Sequence, residues 1–193
     1  MKATPKGQET RAITEAEYRE IITTMRQGVS GFFQANHRAA MALVLEANLG
    51  IRISDICKLC PRDLVRENGK WRLSIVEQKT GKPRFFTVPD EVYHGIVDYC
   101  YTQGIKPDER IIQIKPRAVQ TALEKVVDFL ELERVGTHSF RKFFASRIYE
   151  ENGHDTELVR EILQHGSLET TQRYLRVTSR RVESALNNAT MML

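Results

Sequence analysis

The sequence predicts an α+β domain, mainly α-helical with one small three-stranded antiparallel sheet. Three observations lead there. Apolar residues recur at helical spacing in the first and last parts of the chain. Between these parts the period changes to two, in short runs rich in β-branched and aromatic residues. Asn68-Gly69 separates the first two of those runs, and a tight hairpin favours that dipeptide because both central residues take positive φ.

Residues 1–12 are polar and basic, with Pro5 and Gly7, and read as a linker or tail; residues 13–193 form the domain. Thr14 followed by Glu17 is a capping box, with Ile13 and Tyr18 placed as a hydrophobic staple, so a helix over about 15–27 follows. "ANHRAAMALVLEANLG" is apolar nearly all round, which predicts a buried helix stopped by Gly50. Ser54 is placed to cap a short helix, "DICKL", that Pro61 ends. "DLV", "WRLSIV" and "RFFTV" are the three strands. Helix returns at about 90–102 and, after the apolar piece "RIIQI", at about 116–131. The last part is helical near 138–151, 155–164, 168–176 and 179–190, with Thr137 and Ser167 as caps.

Composition narrows the class. A chain of 193 residues that is 41% hydrophobic can bury one core. Lys+Arg 29 against Asp+Glu 25 gives a net charge of +4, which permits a polyanionic partner without requiring one. Three cysteines are too few and too odd for a disulfide framework, and they point to a reducing compartment. The N-terminus lacks the apolar run of a signal peptide, and no stretch is long enough to cross a bilayer. A soluble, cytoplasmic protein is expected.

Several motifs carry chemistry, and each alone has a structural reading at least as good. In "THSFRKFFASRI", His138 and Arg141 lie three apart at a helix start and share a face; free amides, the helix dipole and a guanidinium suit a phosphate there. In "NLGIRISDICKL", Arg52 sits between isoleucines, with Asp55 placed to hold its guanidinium. The tip of a hairpin, "QKTGKPR", presents Lys79, Lys82 and Arg84 around Gly81. In "LQHGSLETTQRYLR", His165 precedes Tyr174, which stands among Arg173, Arg176, Arg180 and Arg181. Taken singly these are a cap, an ion pair, a solvated turn and a core aromatic. Taken together, Arg52, Lys79, His138, Arg141, His165 and Tyr174 supply one phosphodiester site. Arginines neutralise the phosphoryl oxygens, a tyrosine oxygen attacks, and a lysine and a histidine move protons. No carboxylate cluster suited to Mg²⁺ is evident, so neither a metal nor another cofactor is expected. "CKLC" (Cys57, Cys60) suggests half a zinc site or a redox pair, but no second pair exists and both cysteines fall in or at the end of a helix.

With these motifs the chain closely resembles the catalytic domain of the tyrosine recombinases, the phage-integrase family of site-specific DNA recombinases. The boxes are "LGIRISDICKL", "QKTGKPRFFTVP", "THSFRKFFASRI" and "LQHGSLETTQRYL", and the likeness runs over about residues 12–185. The resemblance implies that Arg52 and Arg141 clamp the scissile phosphate and that Lys79 protonates the leaving 5′-hydroxyl. His138 is the acid/base partner of the tyrosine, His165 hydrogen-bonds the phosphate, and Tyr174 forms a 3′-phosphotyrosyl bond without ATP or metal. Asp55 supports the site from behind. Lys82, Arg84, Lys142, Arg173 and Arg176 are the expected contacts to double-stranded DNA. Residues 179–190 would form a helix that packs on its own core or docks on a neighbouring protomer of a homotetramer on DNA. A bacterial, nucleoid-associated location is implied.

The sequence departs from the family pattern at Gln164, where Gly is usual before the histidine, and at Asp55, where Glu is more frequent. Family members usually carry an N-terminal DNA-binding domain. A chain that starts almost at the catalytic domain is expected to be a piece or a truncated gene product, with weak, salt-dependent DNA affinity. The alternative is a catalytically silent DNA-binding protein of the same fold.

Overall fold

The computed structural model describes residues 9–175, the side chain of Arg173 excepted. Most of the linker, Arg176, Arg180, Arg181 and the helix expected over 179–190 lie outside the described residues. The chain runs through α1 (Glu15–Gln27), α2 (His37–Leu49), the short α3 (Ile53–Ile56) and a 3-10 turn (Pro61–Asp63). Then come β1 (Leu64–Glu67), β2 (Lys70–Val76), β3 (Pro83–Val88), α4 (Asp90–Gln103), α5 (Pro116–Phe129), α6 (Thr137–Glu151), α7 (Thr156–Leu163) and α8 (Leu168–Leu175).

The capping box closes α1 as expected. Glu17 N–H donates to Thr14 Oγ1 at 3.2 Å and Thr14 N–H donates to Glu17 Oε2 at 2.7 Å. α2 is the axle of the fold: its Ala, Leu and Met residues are buried on most sides, and it packs against α1, α5 and α6. Gly50 ends it with φ 58°, and a Cβ there would lie 2.3 Å from the Phe144 ring, so position 50 requires glycine for both conformation and space.

The strands form one sheet in the order β1-β2-β3, both pairs antiparallel. Asn68 (φ 49°) and Gly69 (φ 78°) make the two-residue turn that sets the register Glu67↔Lys70. Trp71, Leu73 and Ile75 of β2 and Arg84, Phe86 and Val88 of β3 face inward as alternation dictates, with Arg72 half-buried as well. Trp71 stacks on Tyr93 of α4 with ring centroids 3.6 Å apart, which fastens the sheet to the helical part.

Two caps differ from expectation. Arg52, not Ser54, precedes α3, with extended backbone and no side-chain cap; Ser54 is inside the helix. Burial of Ile51 and Ile56 sets where that turn starts, and packing outweighs a local hydroxyl preference. Gly136, not Thr137, precedes α6, and its N–H donates to Ser139 Oγ at 3.1 Å. Ser167 does cap α8, accepting from Thr170 N–H at 3.2 Å.

A second apolar cluster joins α6, α7 and α8 through Ala145, Tyr149, Val159, Leu163 and Leu175. Burying a leucine side chain is worth about 1.5–3 kcal/mol, so Leu163 and Leu175 hold α8 in place, with Tyr174 packed beside them.

Candidate active site

Several helix ends converge on one region. Gly50 closes α2, Arg52 opens α3, His138 and Arg141 lie in the first turns of α6, His165 follows α7, and Tyr174 stands near the end of α8.

Arg141 is the hub. It is 1% exposed, and its guanidinium donates to Gly50 O at 2.7 Å and to Leu163 O at 3.0 Å. These carbonyls belong to the C-terminal ends of α2 and α7, where helix dipoles put partial negative charge and few partners remain. The arginine satisfies both ends and is held rigidly in return. Two of its five N–H donors hold these carbonyls, and the others are left for the Tyr174 hydroxyl and for a ligand.

Tyr174 lies between two imidazoles. Its ring is edge-on to His138, with centroids 5.2 Å apart, and to His165, at 5.1 Å. Lys142 Nζ sits over the ring at 5.3 Å. The hydroxyl is buried and makes no hydrogen bond of normal geometry. Burial pushes the phenol pKa well up, and the nearby Arg141 charge only partly offsets it. The resting group is a neutral phenol.

Both histidines are held neutral. Partial desolvation and then the charges of Arg141, Lys142 and Arg52 push His138 down to about 4. That residue keeps an exposed surface, so the three cations are the firmer cause. His165 is also pushed down to about 4, by desolvation and then by Arg141, Arg52 and Arg84. Its Nδ1 pairs with Thr171 Oγ1 at 2.9 Å, and Thr171 is fully buried.

The base of the β2–β3 hairpin reaches the site through Glu77 and Arg84. Lys79 is exposed in the β2–β3 loop, and no hydrogen bond or ion pair of its side chain is among the described contacts. Beneath it Glu77 is fully buried. Arg52 Nη1 donates to Glu77 Oε2 at 2.6 Å, and Arg84 Nη1 donates to Oε1 at 2.8 Å. Burial works against the carboxylate, but the hydrogen bonds and charges of Arg84 and Arg52 outweigh it and hold its pKa below the ordinary value.

Three expectations need correction. Asp55 does not hold Arg52; its Oδ1 accepts Gln78 N–H at 2.9 Å, and Glu77 holds the arginine. Arg84 is not at the hairpin tip. It is 2% exposed, because alternation along β3 turns it inward to Glu77 and to Ile162 O, 2.7 Å away. Lys142 is likewise buried, its Nζ held by Glu9 Oε1 at 2.6 Å and Thr10 O at 2.7 Å, so neither residue offers a free charge to a DNA backbone here. Among the described residues, the cations near Tyr174 are Arg141, Lys142 and Arg52. Lys82 is exposed on the hairpin, while the Arg173 side chain and Arg176 lie outside the described residues.

The sequence reading missed Glu77, Thr171 and Glu46. Glu46 carried a visible sign, a lone acid inside the apolar run "LVLEANLG". It is 1% exposed, and burial raises its pKa well above normal, opposed by Arg141 and the Ile53 N–H. Gln164 adopts the left-handed conformation (φ 53°) that ends α7, which is the physical reason glycine suits that position. Cys57 is a core residue whose thiol is pushed up to about 11 by burial and by Glu46. The Cys60 thiol donates to the Lys58 and Asp108 carbonyls. Among the described residues, no group of three His, Cys, Asp or Glu side chains gathers as metal ligands, and no helix is long and apolar enough to cross a membrane.

The chain is similar to proteins of known class along most of its length. Tyrosine recombinase XerA of Pyrococcus furiosus is 25% identical over 189 residues, covering 94% of this chain and 63% of the relative. The chain thus spans about three fifths of the length of such relatives. Among solved structures, the XerH site-specific recombinase bound to its palindromic difH substrate matches with a TM-score of 0.68 at 20% identity, over 93% of this chain and 53% of that one. The catalytic domain of bacteriophage HP1 integrase matches with a TM-score of 0.64 at 20% identity, over 93% of this chain and 95% of that one. These two likenesses show the fold. The model of the phage integrase family matches residues 11–181, and the chain belongs to that family.

Proposed function

We propose that residues 13–193 are the catalytic domain of a site-specific DNA recombinase that cuts and rejoins DNA through a 3′-phosphotyrosyl intermediate. One observation carries this most directly. Tyr174 is fixed between two neutral imidazoles, with its buried hydroxyl against the Arg141 guanidinium. A tyrosine kept only for packing needs none of these neighbours.

The groups divide the work as follows. Arg52 and Arg141, each positioned by part of its donor set, direct their remaining N–H groups to the scissile phosphate and stabilise the charge of its pentacoordinate state. His138, neutral at physiological pH, accepts the proton of the Tyr174 phenol as that oxygen bonds to phosphorus. The bond from phosphorus to the 5′-oxygen breaks, and Lys79 gives that oxygen a proton. In the tautomer where the Thr171 hydroxyl is the donor, its 2.9 Å pair with His165 Nδ1 leaves Nε2–H to donate to a phosphate oxygen. The products are a phosphotyrosyl DNA end and a free 5′-hydroxyl. One phosphoester has replaced another, so a second 5′-hydroxyl can reverse the step without ATP. Because the hydroxyl is sealed from solvent here, it must be uncovered as the phosphate enters.

Double-stranded DNA is the partner under this reading, supported by the structural relative bound to its difH DNA. Lys79 and Lys82 on the exposed hairpin are the DNA contacts best placed in this arrangement. Assembly as a homotetramer on DNA through the C-terminal segment, and work at the bacterial nucleoid, complete the proposal.

A nicked suicide duplex, in which the cleaved strand loses its short 5′-hydroxyl end, tests it. The expected result is a covalent protein–DNA band that survives denaturing electrophoresis. Absence of that band under conditions where a known recombinase of the family forms one would contradict catalysis and favour a silent DNA-binding protein.

A further inference from the structure

The most unusual group near the site is a carboxylate that the reaction does not use. Glu77 is fully buried and stands where positive charge is needed. It accepts from Arg52 at 2.6 Å, Arg84 at 2.8 Å and the Thr80 hydroxyl at 3.1 Å. Without it, three arginine charges (Arg52, Arg84, Arg141) would share the region, since Arg84 and Arg52 each lower the proton affinity of their neighbours. A buried acid that only neutralised charge would need no particular address in the chain. Glu77 has one, at the base of the loop that carries Lys79.

The backbone there is locked from both sides. Glu77 N–H donates to Lys82 O at 3.0 Å, and Gly81 N–H donates to Glu77 O at 2.8 Å, which closes the loop over residues 78–81. Asp55, in the turn that begins just after Arg52, accepts Gln78 N–H at 2.9 Å. So α3 grips the hairpin through Asp55, and the hairpin grips the start of α3 through Glu77 and Arg52. The two links run in opposite directions and fix the two residues that precede Lys79, and the Thr80 hydroxyl on Glu77 fixes the residue that follows it. Arg84 adds a third tie, from Glu77 to the Ile162 carbonyl at the end of α7.

We infer that Glu77 is a positioning residue that sets Arg52, the phosphate clamp, and Lys79, the proton donor, as one unit. The inference rests on the reading of the site given under Proposed function. It differs from a purely structural role in one respect: loss of Glu77 should damage proton delivery to the leaving oxygen as well as the fold around Arg52.

A leaving group that needs no proton separates the two. In a suicide duplex with a 5′-bridging sulfur at the scissile phosphate, the leaving thiolate departs unprotonated, so misplacement of Lys79 no longer matters. Adduct formation would be followed on oxygen and sulfur substrates for the unchanged chain, Lys79→Ala, Glu77→Gln, Glu77→Asp and Thr80→Val. On oxygen, Glu77→Gln and Glu77→Asp should slow the step by about 10- to 100-fold, a partial loss of the roughly 10²- to 10⁴-fold that general acid catalysis provides. On sulfur, a large part of that loss should disappear, as it should for Lys79→Ala. Thr80 is exposed, so its variant keeps the fold if the Glu77 variants do not; it should show a smaller loss of about 3- to 5-fold on oxygen and none on sulfur. Equal losses on both substrates, or no loss with Glu77→Gln or Thr80→Val, would overturn the inference. An unchanged chain that forms no adduct on either substrate would instead overturn the functional reading on which it rests.

Discussion

Replacing Tyr174 by Phe should stabilise the protein while abolishing covalent DNA attachment. The hydroxyl is buried with no hydrogen bond of normal geometry, and leaving such a group unsatisfied costs about 1–3 kcal/mol. Arg141 offsets part of that, because its guanidinium lies close enough to make a weak hydrogen bond to the phenol oxygen. The net gain on removing the oxygen is therefore about 1 kcal/mol. With a urea m-value of about 2 kcal/mol/M, the midpoint should rise by roughly 0.5 M when unfolding is followed by circular dichroism at pH 7. Tyr149 is the internal control. It belongs to the same apolar cluster and its hydroxyl is also buried without a partner, so Tyr149→Phe should give a similar rise and leave adduct formation intact. DNA affinity should be nearly unchanged in Tyr174→Phe. A loss of 1 kcal/mol or more in that variant would refute the reasoning, since it would place the hydroxyl in a hydrogen bond that supports the fold.

Other predictions follow from the same geometry. Gly50→Ala must hold a Cβ at φ 58° against the Phe144 ring, combining about 1–2 kcal/mol of left-handed strain with about 1–3 kcal/mol of overpacking. A urea unfolding loss below about 0.5 kcal/mol would contradict that accounting. Arg141→Lys keeps the charge but cannot serve both Gly50 O and Leu163 O, so it should destabilise by about 1–3 kcal/mol as well as slow adduct formation; unchanged stability would mean the fork is not the helix tie described. Stability should also fall with acid. The folded pKa of both His138 and His165 is about 4, below the ordinary value of 6.5, so unfolding takes up protons between about pH 6.5 and pH 4 and stability is lost as pH falls through that window. His165→Asn should flatten the slope, and an unchanged slope would show that His165 is not held neutral.

Much of the local structure was legible because it depends on short-range chemistry. Thr14 with Glu17, Asn68 with Gly69, and Gly50 each declare a backbone conformation within a few residues, and each element forms where they place it. Tyr174 and the two histidines stand out as candidates only as a set, because no single motif separates a nucleophile from a core aromatic; the structure brings the three rings together. What failed was partner choice across the chain. Arg52 and Asp55 are three residues apart and looked like a pair, yet Arg52 meets Glu77, 25 residues on, because the β2–β3 hairpin folds back on α3. Arg84 looked like a solvated hairpin charge, but the strand's alternation turned it to the core, and the buried Glu77 made that tolerable. Lys142 was read as a surface contact; the segment at Glu9 and Thr10 lies across α6 and covers it.

The central claim is that Tyr174 is the atom-donating nucleophile toward DNA. After reaction with the suicide duplex, nuclease and protease digestion followed by mass spectrometry would locate the attached nucleotide. The account predicts a nucleotide 3′-phosphate esterified to the Tyr174 oxygen and to no other residue. A nucleotide on a different side chain, or a DNA complex that dissociates entirely on denaturation, would contradict it.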